Sequence, residues 1–417
     1  MIPAASSVPS SVSSLLSPAR IAALRAATPG VRTVTHFNHA GASLPSIATL
    51  EAIKAHLWRE ATMGPIEAGV AAKAVTERAR TLAARLLNAD PAEIAITSGN
   101  SAGWSAAFAG LDAWRPGDRI LTARHEWGGN VANMQMAAQR HGASVEVIPC
   151  DANGMADPQA LETMLDARVR LIAITWLPAN GGVINPAVAI GEVARRHAIP
   201  YFIDAAQALG QYPIDVAAVG CDVLTAACRK ALRGPRGTGL LYVRRDFLKH
   251  LSPSQVDTHS APLVAETLPD GAASVRAALR NDAARFETSE ASFALHCGLA
   301  NALEEALELG IDMIRVRIDA TARAVRARLA SIPGVTLLDM GIEQSGLVSF
   351  AVDGVDLPAL QRGFADRGIT ISVNGVSYTP FDMRARGLSH VARASVSYLT
   401  TDDEIDILIN GLRALMA

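Results

Sequence analysis

Between residues 94 and 243 the chain alternates short apolar runs with amphipathic stretches. Runs at 94–97 (IAIT), 119–122 (RILT), 144–148 (SVEVI), 170–175 (RLIAIT), 200–203 (PYFI) and 240–243 (LLYV) predict strands. Helical patterns begin at Ala102, pass through 134–139, and span 158–165 and 187–197. The apolar runs lack polar alternation, as expected of strands buried on both faces of a mostly parallel sheet. Strands separated by helices make this an α/β architecture. After about Phe293 the pattern changes. Helices are predicted at 293–309 (stopped by Gly310), 315–329, 357–367 and 402–416, with strands at 335–338, 347–352 and 394–398. This is a smaller α+β unit, and no internal repeat is present. Ligands in open α/β sheets sit at the carboxyl ends of strands, so the loops there are where chemistry belongs.

Composition narrows the picture. A length of 417 residues suits two or three domains, and 50% hydrophobic residues exclude wholesale disorder. With 38 basic against 40 acidic residues the net charge is −2, which leaves no electrostatic footprint for nucleic acid. The uncharged stretch 171–190 is long enough to span a membrane, but Pro178, Asn180, Gly181, Gly182, Asn185 and Pro186 interrupt it, so no membrane association is expected. The first twenty residues lack the basic start and apolar run of a secretory signal and read as a mobile arm. Cys150, Cys221, Cys228 and Cys297 fit neither a zinc ribbon nor a disulfide framework, which points to a reducing, cytoplasmic setting and no metal site.

Three strand-end loops carry candidate chemistry. Asp204 directly follows a buried run, in Asp204-Ala205-Ala206-Gln207. Arg229 and Lys230 precede the segment Gly234-Pro235-Arg236-Gly237-Thr238-Gly239. Ser98, Gly99, Asn100 and Ser101 form a turn at a helix start. Taken singly, the Asp reads as a cap, the turn as a helix start and the Lys as a surface charge. Together, an amine, a carboxylate and an anion-binding helix terminus are what a pyridoxal phosphate (PLP) enzyme needs.

In these motifs the chain resembles the class V aminotransferase and cysteine desulfurase family of PLP-dependent enzymes, from about Phe37 to the C-terminus. The resemblance implies fold type I: a large α/β domain with a mostly parallel seven-stranded sheet, and a small α+β C-terminal domain. It divides the chain into an N-terminal arm and helix (1–36) packing on the small domain, a large PLP-binding domain (37–292) and a small domain (293–417). It implies that Lys230 forms the Schiff base and moves the α-proton, that Asp204 pairs with the ring nitrogen, and that Gln207 reaches the phenolic oxygen. Gly99, Asn100 and Ser101 are expected at the phosphate. Trp127, in Arg124-His125-Glu126-Trp127-Gly128-Gly129-Asn130, falls where relatives stack a side chain on the ring, with core packing as its plainer reading. Arg229 is either a phosphate contact or a surface charge. Arg393 is expected to hold the substrate carboxylate, with a structural salt bridge as the alternative. Asn38, His39 and Asn180 are expected in the substrate cleft, beside Trp176 and Gly181.

Two departures matter. Desulfurases of this family carry a nucleophilic cysteine in a small-domain loop, and here 371–380 (ISVNGVSYTP) has none. Glu290 also stands where many relatives place a threonine that reaches the partner subunit's phosphate, with Thr288 or Ser289 as possible substitutes. The expected activity is therefore PLP-dependent β-elimination, a C–S lyase acting at the α-carbon of a cysteine-derived amino acid, as in hercynylcysteine sulfoxide lyase-like members. Alternatives are a class V aminotransferase, an epimerase similar to isopenicillin N epimerase, or a non-catalytic PLP-fold binding protein. A homodimer with active sites at its interface is implied.

Overall fold

The computed structural model describes residues 16–111 and 114–417. Of the arm expected over the first twenty residues, 1–15 lie outside the described residues, and Pro18, Ala19 and Arg20 instead open the helix Pro18–Ala26, which Ser17 caps. Seven strands form the central sheet: β1 (Ile94–Thr97), β2 (Arg119–Ala123), β3 (Ser144–Ile148), β4 (Val169–Thr175), β5 (Tyr201–Asp204), β6 (Val223–Ala227) and β7 (Gly239–Val243). Their order is β1-β7-β6-β5-β4-β2-β3. β7 runs antiparallel to β1 and β6, and every other pairing is parallel. This is the α/β architecture that the apolar runs predict. β6 is the strand those runs did not include.

Side chains alternate between two faces, and both are covered. Tyr201 and Ile203 enter a core with Leu82, Ile190 and Leu299, while Phe202 enters a second core with Trp104 and Met134. Helices Pro65–Leu87, Ala187–Arg196 and Phe293–Leu309 lie on the first side, Asn100–Ala109 and Gly128–His141 on the other. Helix Ile47–Met63 passes directly into Pro65–Leu87 through Gly64. Gly64 has φ of +100°, closing one helix while Pro65 opens the next, a conformation that favours glycine.

Edge strand β1 is tied down by a buried ion pair. Arg80 donates to Ile94 O at 2.6 Å and to Glu287 Oε1 at 2.7 Å, and Glu287 Oε1 also accepts from Ile96 N at 2.6 Å. Burial alone would raise the Glu287 pKa, but hydrogen bonds from His259 and Arg80 hold it down at about 2. Its stabilising contribution is therefore full above the ordinary carboxylate range and is lost as pH falls toward 2. Glu287→Ala leaves Arg80 buried and unpaired, so a loss of about 3–5 kcal/mol is expected in denaturant unfolding at neutral pH. The difference from the native protein should shrink as the pH is lowered.

The C-terminal unit is an antiparallel sheet ordered Val335–Leu337, Leu347–Val352, His390–Ser395, Ser372–Gly375. The closing strand predicted at 394–398 is found at His390–Ser395. Ser395 is the last residue paired with the neighbouring strand, and Val396 N turns to Gly346 O at 3.0 Å. Helices Ile311–Ala330, Leu357–Ala365 and Asp402–Met416 cover this sheet, and Pro18–Ala26 adds Ile21 and Leu24 to the same core. Thr35–His36 then pairs parallel with Ile369–Thr370, Asn38 bridges Ser395, and Ser43 N reaches Arg229 O at 2.8 Å. The segment 35–43 thus runs from the small sheet to the loop after β6. Among the described residues no helix is long and apolar enough to cross a membrane.

Candidate active site

The carboxyl ends of the parallel strands converge on a cavity of about 340 Å³. Residues contributed by β4, β5 and β6 line it (Thr175, Asp204 and Ala227), with Ser98 and Gly99 from the loop after β1. Asn38, Ala40 and Gly41 enter from segment 35–43, and Ser372, Tyr378 and Arg393 from the C-terminal unit.

Asp204 ends β5 and is 2% exposed. Its Oδ2 accepts from Asn100 Nδ2 at 2.9 Å and Asn130 Nδ2 at 2.8 Å, and its Oδ1 from Ala206 N at 2.9 Å. Three fixed donors lock its orientation. The side chain of Asn100 is thus engaged with Asp204.

Lys230 sits in the turn after β6, half-buried and open to the cavity it lines. Gly234 N donates to Cys228 O, and Arg233 N to Lys230 O, both at 2.8 Å. Arg233 takes φ of +64°, and its buried guanidinium holds the turn by donating to Leu44 O, Tyr398 OH and Thr28 Oγ1. Burial pushes the Lys230 amine down to about 7; Asp204 opposes the shift, while Arg229 and Arg393 add to it. A substantial neutral fraction at physiological pH is what a nucleophilic amine requires.

At the N-terminus of helix Asn100–Ala109 no side chain caps the free N–H groups. The first intrahelical bond is Gly103 N to Gly99 O at 3.1 Å, leaving the N–H groups of Asn100, Ser101 and Ala102 outside the ladder. These residues line the cavity, and the helix dipole favours an anion there. Gly239, at the start of β7, passes so near that a Cβ would collide with the backbone of Gly99 and Asn100. Arg229, half-buried on the same wall, has no hydrogen-bond or ion-pair partner for its guanidinium among the described residues.

Trp127 lines the cavity as the residue before helix Gly128–His141. Its N–H donates to Thr175 Oγ1 at 3.0 Å, and its ring meets Tyr378 edge to face at 5.3 Å and 82°. A Cβ at Gly128 would overlap Ser377 O, so only glycine lets this loop pack against segment 376–378. Gln207 is buried, its Nε2 donating to Ala40 O at 3.0 Å. Its Oε1 and Asn100 Oδ1 are buried without partners.

Arg393 is 2% exposed and, among the described residues, makes hydrogen bonds only to neutral acceptors, Ala179 O at 2.7 Å and Asn38 Oδ1 at 3.1 Å. Its Nε is buried and unpartnered. Burial lowers its pKa to about 10. A desolvated guanidinium with no carboxylate beside it is built to receive an anion.

His39 and Asn180 do not line the cavity. His39 Nδ1 pairs with Ser43 Oγ at 3.0 Å and its ring meets His36 at 4.7 Å. Asn180 donates to Thr379 Oγ1 at 3.1 Å and accepts from Asn374 Nδ2 at 2.8 Å, joining two loops. Trp176 is in the sheet core against Tyr212. Ser289 is held by Asp257 at 2.7 Å, and Glu290 is exposed. Sequence reasoning overlooked Asn130, Thr175 and Tyr378 in the site, and Glu126 behind it. The available signal was the spacing of four between Glu126 and Asn130, one helical turn across the start of a helix.

The family model for aminotransferase class-V matches residues 36–408. The chain belongs to this family. Class V enzymes are PLP-dependent, so this protein is a PLP-dependent enzyme. It is 30% identical to a probable cysteine desulfurase of Xylella fastidiosa (strain 9a5c) over 349 residues, 82% of this chain and 81% of the relative. A structure of the cystine C–S lyase C-DES with its reaction product cysteine persulfide is 27% identical with a TM-score of 0.81, covering 92% of this chain and 98% of that one. The cysteine desulfurase CsdA from Escherichia coli, 24% identical with a TM-score of 0.84 and coverage of 95% and 98%, shares the fold. The residues present fit the class V cofactor: a free amine, an oriented carboxylate, an uncapped helix start beside an unpaired arginine, and an aromatic ring, all on one cavity.

Proposed function

We propose that this class V enzyme catalyses β-elimination on a cysteine-derived amino acid, as a C–S lyase without a cysteine nucleophile. The observation that carries this reading is the lining of the cavity: Lys230, Arg393, Ser372 and Tyr378, but no thiol. All four cysteines are free and lie elsewhere, two of them buried. The likeness to a cystine C–S lyase supports it.

PLP, when bound, supplies an electron-withdrawing ring that stabilises charge at the substrate α-carbon. In the proposed arrangement Lys230 Nζ would hold the cofactor aldehyde, Asp204 its ring nitrogen, and Gln207 Nε2 its phenolic oxygen. The helix start at Gly99, Asn100 and Ser101, with Arg229, holds its phosphate. Trp127 would lie against the ring. Arg393, kept in place by Asn38, takes the substrate α-carboxylate. Freed from the aldehyde when the substrate amine takes its place, Lys230 Nζ would accept the α-proton, and the Cβ–S bond would break with its electron pair leaving on sulfur. Hydrolysis completes the products: a thiol, pyruvate and ammonia.

Transamination and epimerisation share the first proton transfer. Substituted cysteines and common amino acids should be assayed for pyruvate, keto-acid dependence and racemisation. Pyruvate without an added α-keto acid is expected, whereas dependence on a keto acid or simple inversion would overturn the lyase assignment. A colourless protein that cannot be reconstituted with PLP would favour the non-catalytic alternative.

A homodimer is also proposed. Trp58 (72% exposed), Ile66 (77%) and Val70 (72%) are exposed apolar side chains on the two long N-terminal helices, of the kind a second copy covers. Sedimentation equilibrium should return the mass of two chains; a single-chain mass at micromolar concentration contradicts it. Four free thiols agree with a reducing, cytoplasmic setting.

A further inference from the structure

Behind Asp204, outside the cavity lining, lies a second buried carboxylate, Glu126, which is 1% exposed. Its Oε1 accepts from Asn130 Nδ2 at 2.7 Å, Thr175 Oγ1 at 2.7 Å and Trp127 N at 3.2 Å. Its Oε2 accepts from Thr175 N at 2.8 Å and Thr122 Oγ1 at 3.2 Å. One side chain therefore ties together the ends of β2 and β4, the backbone of Trp127 and the start of helix Gly128–His141. Asn130 Nδ2 spends one proton on Glu126 and the other on Asp204 Oδ2 at 2.8 Å. A single amide thus bridges two buried acids.

No lysine, arginine or histidine contacts Glu126 among the described residues. The adjacent His125 turns toward Asp382 at 3.5 Å. The titratable groups that feel Glu126 are Asp204 and the Tyr201 phenol, both on β5; Lys230 acts on Asp204 from the turn after β6. A buried carboxylate is expensive unless a cation repays it. Besides Lys230, the cation that would reach this pair is the ring nitrogen of a cofactor held at Asp204.

We propose that Glu126, acting through Asn130, is the positioning residue that orients Asp204 and deepens the negative charge felt by the cofactor ring nitrogen. It keeps that nitrogen protonated to higher pH than Asp204 alone would. Burial, and next the charge of Asp204, raise the Glu126 pKa to about 7 against its five donors. Arrival of a ring cation favours the ionised form of Glu126, so the two charges reinforce each other. The inference rests on placing the cofactor at Asp204, not on the lyase assignment.

The test loads the native protein, Glu126→Gln, Asn130→Ala and the charge-retaining Glu126→Asp with PLP labelled with ¹⁵N in the ring. The ¹⁵N shift is followed from about pH 6 to 9, and PLP retention is read from the visible band on dilution. The native nitrogen is expected to stay protonated throughout. In Glu126→Gln and Asn130→Ala its titration should move down by about one unit or more, with PLP held roughly tenfold more weakly. Glu126→Asp should recover most of both. Asn130→Ala leaves four donors on Glu126, so it decides the matter if Glu126→Gln does not fold. Native-like titration in the folded variants overturns the proposal and leaves Glu126 a purely structural hub. A native protein that takes up no PLP overturns the cofactor placement instead.

Discussion

Lys230→Ala is expected to lower turnover at least about a thousandfold and to abolish the visible band that borohydride bleaches in the native enzyme. Among the described residues no other lysine lines the cavity to substitute for it. The same substitution should stabilise the apoprotein. The folded protein holds the Lys230 amine at about 7, below its ordinary 10.5. A depressed amine contributes its full stability only above the unfolded value, and that contribution falls as pH drops toward the folded one. Relative to Lys230→Ala, the native apoprotein should therefore lose stability from about pH 10 down to pH 7, with no further change below. Thermal melts of the two apoproteins across that range check the sign. A variant that melts lower than the native protein at pH 7 would mean the amine is not desolvated as described.

The second large effect is at Arg393. Arg393→Lys keeps a positive charge but loses the planar fork that bonds Ala179 O and Asn38 Oδ1 and leaves Nε free. A rise in KM of roughly a hundredfold is expected, with the visible cofactor band unchanged, because the residue is assigned to the substrate rather than to PLP. Loss of the cofactor band together with the rise in KM would mean that Arg393 supports the fold of the cleft.

What could be read from the sequence follows from how local each signal is. Helix Phe293–Leu309 is legible because Ser292 caps it and Gly310 ends it. Helix Asp402–Met416 carries a capping box between Thr401 and Glu404. Helices Ile47–Met63 and Pro65–Leu87 were missed because their exposed face carries Leu57, Trp58, Ile66 and Val70, which blurs the polar and apolar stripes. The closing strand was shifted because His390 and Arg393 interrupt its apolar pattern. Asp204 and Lys230 stand at strand ends and could be seen as site candidates. Glu126 and Asn130 offer only their spacing of four, since Asn130 meets Asp204 across 74 positions and nothing local marks either as buried. His39 and Asn180 show the converse. Their neighbourhood was readable, but which polar atoms were already taken by Ser43, Thr379 and Asn374 was not.

The central claim is elimination without a cysteine nucleophile. Its most direct measurement is pyruvate release from cystine or another S-substituted cysteine, with no α-keto acid added and the enzyme's accessible thiols alkylated beforehand. The account predicts continuous pyruvate and ammonia formation in equal amounts, at a rate unchanged by alkylation. Abolition of turnover by alkylation, or a strict need for an α-keto acid, would contradict it.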